Sequence, residues 1–230
     1  MGDKTYFRTL AVLFAALGTS AAAFALMAPS VSLDLSTLLP AGLSLRSEAV
    51  PSLAAAFALP VLALLLWVLL HDAPVSALGR LGARLMRIAP TDRERYLVFA
   101  PAYRLVVIGV LTIILAFHAA VLSAVTGWPA APGRVAGLLL AAALVIIGNV
   151  MPQLRPNSVA GVRTARTLRD PVEWARVHRA LGVAWVLAGV ATAGVALVAP
   201  RYALVTWVAA MLVALVGGAT APRGLTRARP

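Results

Sequence analysis

The chain contains no cysteine, so it forms no disulfide and offers no thiolate to a substrate or a metal. Charge is sparse as well. Only 12% of the 230 residues are Asp, Glu, Lys or Arg, about half of the ~25% usual for a soluble domain. Acid is the scarcer sign: eight carboxylates stand against twenty basic side chains, all of them arginine except Lys4. The three histidines, His71, His118 and His178, are far apart, and no His-Glu-x-x-His spacing gathers donors for a metal. A glycine-rich phosphate loop with its lysine is missing, and so is a Gly-x-Ser-x-Gly nucleophile elbow. These absences predict a protein without catalytic activity, bound metal or cofactor.

Apolar residues fill the space that charge leaves. They make up 61% of the chain, and the mean hydropathy is +0.91. Several runs are long enough to cross a ~30 Å hydrocarbon core. The pattern predicts six spans, at about 7–28, 49–70, 101–125, 134–150, 176–199 and 202–220. In lipid every backbone amide must be paired within its own segment, so each span is expected as a helix. The fold class is therefore all-α, a single polytopic membrane domain over residues 1–230. Lys4 and Arg8 ahead of the first run, with small residues from Ser20 to Ala23, share features with a secretory signal. The run is about 20 residues long, more than a signal needs, which favours an uncleaved first helix.

Net charge is +12 and the sequence pI is about 11.7. In a soluble domain that balance would suggest nucleic acid. Here the basic residues flank apolar runs, so topology and anionic lipid headgroups account for them, and no direct nucleic-acid partner is expected. The N-terminus carries Lys4 and Arg8. The segment after the second span carries Arg80, Arg84, Arg87, Arg93, Arg95 and Arg104. The segment after the fourth carries Arg155, Arg163, Arg166, Arg169, Arg176 and Arg179. The tail carries Arg223, Arg227 and Arg229. Seventeen of the twenty basic residues thus fall in alternate segments, leaving Arg46, Arg134 and Arg201 for the others. That alternation predicts both termini in the cytoplasm. Trp128 then sits near an outer boundary, and Tyr96 and Trp174 near inner ones.

Two cytoplasmic segments have further pattern. Over 76–89, Leu78, Leu81, Leu85 and Ile88 share one helical face while Arg80, Arg84 and Arg87 share the opposite one. An amphipathic helix lying on the inner leaflet is expected there, either as a topology anchor or as a partner surface. The second segment is 148–182. Asn149 and Pro152 stop the fourth span, and Asp170-Pro171-Val172-Glu173 starts the fifth helix with Asp170 as N-cap, Pro171 at N1 and Glu173 closing a capping box. On that helix Trp174, His178, Leu181 and Trp185 form one stripe, away from Arg176 and Arg179. Between the two helix ends, Asn157, Thr164 and Thr167 can satisfy local backbone groups, and Gly161 permits positive φ. Arg163 is expected on the carbonyl end of the fourth helix, on a lipid phosphate or on a partner carboxylate. The segment reads equally as a lock between two helices and as a docking surface.

All eight carboxylates lie in or beside loops. A coupled transporter usually carries one inside the membrane, so this placement weakens that function class. His118 is the one ionisable side chain deep in a span. It reads as a neutral histidine bonded to a neighbouring helix or as part of a substrate path. Gly182, Gly189, Ala193 and Gly194 recur along the fifth span and suggest close helix packing.

Residues 148–182, GNVMPQLRPNSVAGVRTARTLRDPVEWARVHRALG, resemble the signature of the SdpI family of six-span bacterial membrane proteins. The matching positions are Gly148, Asn149, Pro152, Arg155, Asn157, Gly161, Arg163, Thr164, Thr167, Leu168, Trp174, His178, Arg179 and Gly182, without gaps. Ala165-Arg166 stands where the family usually has Pro-Trp, and 29–48 lacks the Trp/Gly motif that many members carry after the first helix.

The resemblance implies a multi-pass protein of the bacterial inner membrane that gives immunity to a secreted membrane-active peptide toxin. It also implies a cytoplasmic regulator as partner, such as a transcriptional repressor recruited to the membrane. The candidate binding residues are Asn149, Arg155, Asn157, Gly161, Arg163, Thr164, Thr167, Trp174, His178 and Arg179, with anionic lipid beside them at the inner face. The alternative is a transporter of small molecules or lipids, or an accessory subunit of one. It would have a polar mid-membrane cavity including His118.

Overall fold

In a computed structural model of the protein, residues 4–33, 48–126 and 132–220 are described. They form helices α1 (Lys4–Ala25), α2 (Ser52–Leu70), α3 (Ala77–Leu85), α4 (Arg93–Thr126), α5 (Pro132–Val150), α6 (Ala165–Arg169), α7 (Pro171–Val198) and α8 (Ala203–Thr220). Two short strands, β1 (Ser30–Leu33) and β2 (Glu48–Pro51), pair antiparallel with Ser30 opposite Pro51 and Leu33 opposite Glu48. The protein is an all-α polytopic membrane protein in which this ribbon is the one exception among the described residues. Five helices, α1, α2, α4, α5 and α7, are long and apolar enough to cross a bilayer. The sixth expected span corresponds to α8, whose apolar stretch Pro200–Val216 is shorter.

α1 ends at Ala25 rather than 28, and three further boundaries differ from the sequence pattern, each for a local reason. The second span begins at Ser52 rather than 49, because Glu48–Pro51 is committed to the ribbon and the Ser52 amide donates to the Pro29 carbonyl at 3.2 Å. The third span's helix starts at Arg93 rather than 101. Asp92 caps it, accepting from the Arg95 amide at 2.7 Å, and the 34 residues of α4 extend about 51 Å. Its first turns therefore stand beyond the ~30 Å hydrocarbon core. The amphipathic segment is helical only over Ala77–Leu85. Arg87 turns into the left-handed region (φ 53°) and the Ile88 amide reaches the Ala83 carbonyl at 3.0 Å, a Schellman-type stop that removes Arg87 and Ile88 from the faces assigned to them.

α5 is the central helix, flanked by α4 and α7, with α8 laid across α7 and α5, α2 on α4, and α1 on α2. α5 and α7 meet through Gly148 and Gly182, each facing the other's backbone. A Cβ at Gly148 would lie 2.7 Å from the Gly182 carbonyl oxygen. Gly189 likewise meets the Ala141 carbonyl of α5, but Gly194 faces open space, so the expected packing stripe stops short of the C-terminal end of the helix. α1 is held lightly. Val12, Phe14 and Leu26 are exposed, Leu13 and Ser20 are buried, and Ser20 Oγ lies 2.9 Å from Nε2 of His118 on α4. Ser20 also donates to the Ala16 carbonyl at 2.7 Å. With that proton spent, the His118 Nε2–H donates to Ser20, and Nδ1 is left as a buried lone pair with no partner.

Gly148→Val should force α5 and α7 apart, costing about 1–3 kcal/mol by overpacking. Thermal unfolding in detergent would register a fall in Tm of several degrees, whereas Gly194→Ala should leave Tm unchanged or slightly raised.

Candidate functional site: the loop between α5 and α7

Pro152 cannot continue α5, and a 3-10 turn at Met151–Gln153 carries the chain out of the helix. Asn157 then organises the loop. It is 1% exposed, yet its amide is fully used. Oδ1 accepts from the amides of Val159 and Ala160, both at 2.8 Å. Nδ2 donates to the carbonyls of Arg155 at 2.9 Å and Ala160 at 3.2 Å. One side chain thus replaces the backbone pairing that a tight, non-helical turn cannot supply for itself.

Gly161 follows with φ 104°, a conformation closed to ordinary side chains. A Cβ there would also run into Nε2 of His178. That nitrogen accepts from the Val162 amide at 3.0 Å, while Nδ1 lies 2.8 Å from the Trp174 carbonyl. A backbone amide only donates and a carbonyl only accepts, so the ring must be neutral with its proton on Nδ1. Trp174 stacks on the imidazole at 3.9 Å between centroids and 16° between planes, and its Nε1–H donates to the Leu154 carbonyl at 2.8 Å. The stripe on α7 therefore holds the loop at both ends, Leu154 through Trp174 and Val162 through His178.

Beyond Val162, Thr164 and Thr167 form a reciprocal capping box that starts α6, and Thr167 Oγ1 also donates to the Val162 carbonyl at 2.6 Å. Asp170 caps α7 as expected, accepting from the Val172 amide at 2.8 Å. Glu173 does not close the expected box. The Asp170 amide bonds the Arg166 carbonyl, and the Glu173 carboxylate takes Arg176 at 2.7 Å and Arg166 at 3.9 Å. Arg163 is corrected too. Its Nη1 donates to the Ser158 carbonyl at 2.6 Å, inside its own loop, rather than to the end of the fourth helix.

The ten sequence candidates thus divide. Asn157, Thr167, Trp174 and His178 are buried, and with Gly161 and Thr164 they build the loop. Asn149, Arg155, Arg163 and Arg179 are exposed, with the Asn149 carbonyl accepting from Gln153 at 3.5 Å. Ser158 was missed by sequence reasoning. It is buried, and its hydroxyl donates at 2.8 Å to the Gly79 carbonyl on α3. Segments 76–89 and 148–182 are therefore one platform. Gly79 and Ala83 form the inner face of α3, while Leu78, Leu81 and Leu85 remain exposed. A second missed cluster lies beside it, where Tyr96 donates to Asp72 at 2.9 Å, Arg104 stands 4.0 Å from Asp72, and Tyr103 donates to the Leu70 carbonyl at 2.8 Å. Residue spacing gave no signal for either, because both join segments more than twenty positions apart.

Asn157→Ala would orphan two buried backbone amides, at about 1–3 kcal/mol each. Limited trypsin digestion of the detergent-solubilised protein should then cut at Arg163 and Arg166 at least about tenfold faster than in wild type. Arg179→Ala, which removes only an exposed charge, should digest like wild type.

Comparison with known proteins adds one match. The model of the SdpI/YfhL protein family matches residues 153–222. No curated protein and no solved structure matches the chain. The matched stretch takes in the loop from Gln153, α6, α7 and α8, and with them Asn157, Ser158, Thr167, Trp174 and His178. The resemblance seen in the signature segment is therefore borne out: over residues 153–222 the chain is similar to the SdpI/YfhL protein family.

Proposed function

We propose that this protein is an SdpI-like immunity and signalling protein of the bacterial inner membrane, with both termini in the cytoplasm. It protects its cell from a secreted membrane-active peptide and docks a cytoplasmic regulator on its basic inner face. One observation carries the proposal: the loop is held by bonds made inward, and its arginines are left outward. Arg155, Arg163, Arg166, Arg169 and Arg179 are all exposed on a segment whose backbone is fixed from beneath. Side chains displayed on a rigid support lose less freedom when they meet a partner, which favours a docking surface over a flexible linker. An acidic partner segment complements it. His118 favours this reading over transport. Its Nε2 is taken by Ser20, and the neighbouring cleft of about 570 Å³ has a mostly apolar lining, with Ala22, Ala23, Leu26, Ala119, Leu122 and Val135 beside the hydroxyls of Thr19, Ser123 and Thr126.

Survival tests the function. A sensitive bacterium expressing the protein should outlive an empty-vector control when challenged with supernatant from a related killing strain. Arg155→Glu/Arg169→Glu at equal membrane expression should lose the response of the regulator while the protein still folds. Absence of protection by wild type against active toxin would defeat the immunity reading.

Orientation has its own test, and the lack of native cysteine makes it clean. Arg169→Cys should react with a membrane-impermeant maleimide in inverted vesicles and stay unlabelled in intact cells. Labelling in intact cells would reverse the assigned topology.

A further inference from the structure

Beneath the loop lies a cavity of about 290 Å³. Its walls include Val110 of α4, Ile147 of α5 and Leu181 of α7, and its roof is the loop itself from Val159 to Val162. Leu70 at the end of α2 and the exposed Leu215 of α8 stand at its edge. Its size is at the small end of ligand sites, room for part of one chain-like molecule.

Water is a poor occupant. A buried water needs two to four polar partners. Most of the roof's polar groups are already used: the amides of Val159 and Ala160 on Asn157, the amide of Val162 on His178, and the Val162 carbonyl on Thr167. Tyr103, which also lines the space, gives its hydroxyl to Leu70. Trp185 Nε1 is a buried donor without a hydrogen-bond partner, a single polar group in a lining that is mostly hydrocarbon and fewer than a water needs. The loop stands at the inner end of α5 and α7, so the apolar material at this depth is the acyl chain of an inner-leaflet lipid. Directly after the roof comes Arg163, exposed, with its guanidinium pinned to the Ser158 carbonyl by one of five donors. Arg155 precedes the roof and is exposed as well. An apolar slot with one fixed guanidinium next to its roof in the chain matches an acyl chain that ends in a phosphate.

We propose that the cavity under the loop binds one acyl chain of an anionic phospholipid whose phosphate is held at Arg163. The site rests on the cytoplasmic placement of the loop and not on toxin immunity, so lipid binding and survival can fail independently.

Trp185 also lines the cavity and serves as the reporter. The full chain is reconstituted in vesicles containing either phosphatidylglycerol or phosphatidylcholine brominated along the acyl chain, at equal mole fraction. The quenching assigned to Trp185 is the difference between wild type and Trp185→Phe. It should show an apparent affinity about fivefold higher for the brominated phosphatidylglycerol, as one basic contact near a membrane surface confers. Ala160→Leu and Val110→Phe fill the space from roof and wall, and each should abolish the Trp185 quenching. Arg163→Gln should erase the preference between the two lipids. Retained Trp207 emission and a monodisperse elution profile mark a variant as folded. Equal quenching by both lipids in wild type would overturn the proposal, and so would a preference that survives in both filled variants.

Discussion

Much of this structure depends on the hydrogen bond from the Val162 amide to Nε2 of His178. It lies where the chain must leave an apolar helix, turn back and enter another near the edge of the lipid. Backbone groups in that position have neither a helix nor free water to pair with. The solution is a set of side chains that imitate backbone: Asn157 for the first turn, His178 for the crossing point and Thr167 for the start of α6. Because His178 sits on α7, the loop is tied to a membrane-spanning helix rather than left as a surface appendage.

From that tie the platform spreads outward. Trp174 fixes Leu154 at the end of α5, Gly148 and Gly182 let α5 and α7 approach beneath it, and Ser158 brings in α3. The opposite end of the molecule is built differently. Among its described residues α1 buries Leu13 and Ser20, and a hydrogen bond joins Ser20 to His118 of α4, with much of its surface exposed. Burial thus rises from α1 through α2 and α4 to the central α5 and falls again at α7.

Apolar length and charge alternation were enough to read the helical class, because the bilayer imposes both directly on residue type. The Asp170-Pro171 start of α7, the positive φ at Gly161 and the Trp174–His178 stripe were equally legible, since each is a local rule acting over a few residues. What could not be read involved partners distant in sequence. Nothing near Ser158 announces Gly79, and nothing near Asp92 weighs the cap of α4 against the end of the apolar run. Arg163 shows the same limit from the other side. Its residue type offered three partners of comparable chemistry, and the compactness of the loop gave it a fourth, the Ser158 carbonyl. Arg87 ended the amphipathic helix early because a Schellman stop there outweighed the continuing leucine and arginine periodicity.

The inward and outward residues of the loop answer to separate constraints, and this bears on how such a protein diverges. Ala165 and Arg166, at the two positions where the signature this segment resembles has Pro-Trp, both face out. The bonds that fix the loop, from Asn157 through Thr167 to His178, involve neither side chain. A lineage can therefore rewrite the exterior of this platform residue by residue, acquiring or losing a binding specificity, while the interior that makes the platform foldable is inherited unchanged.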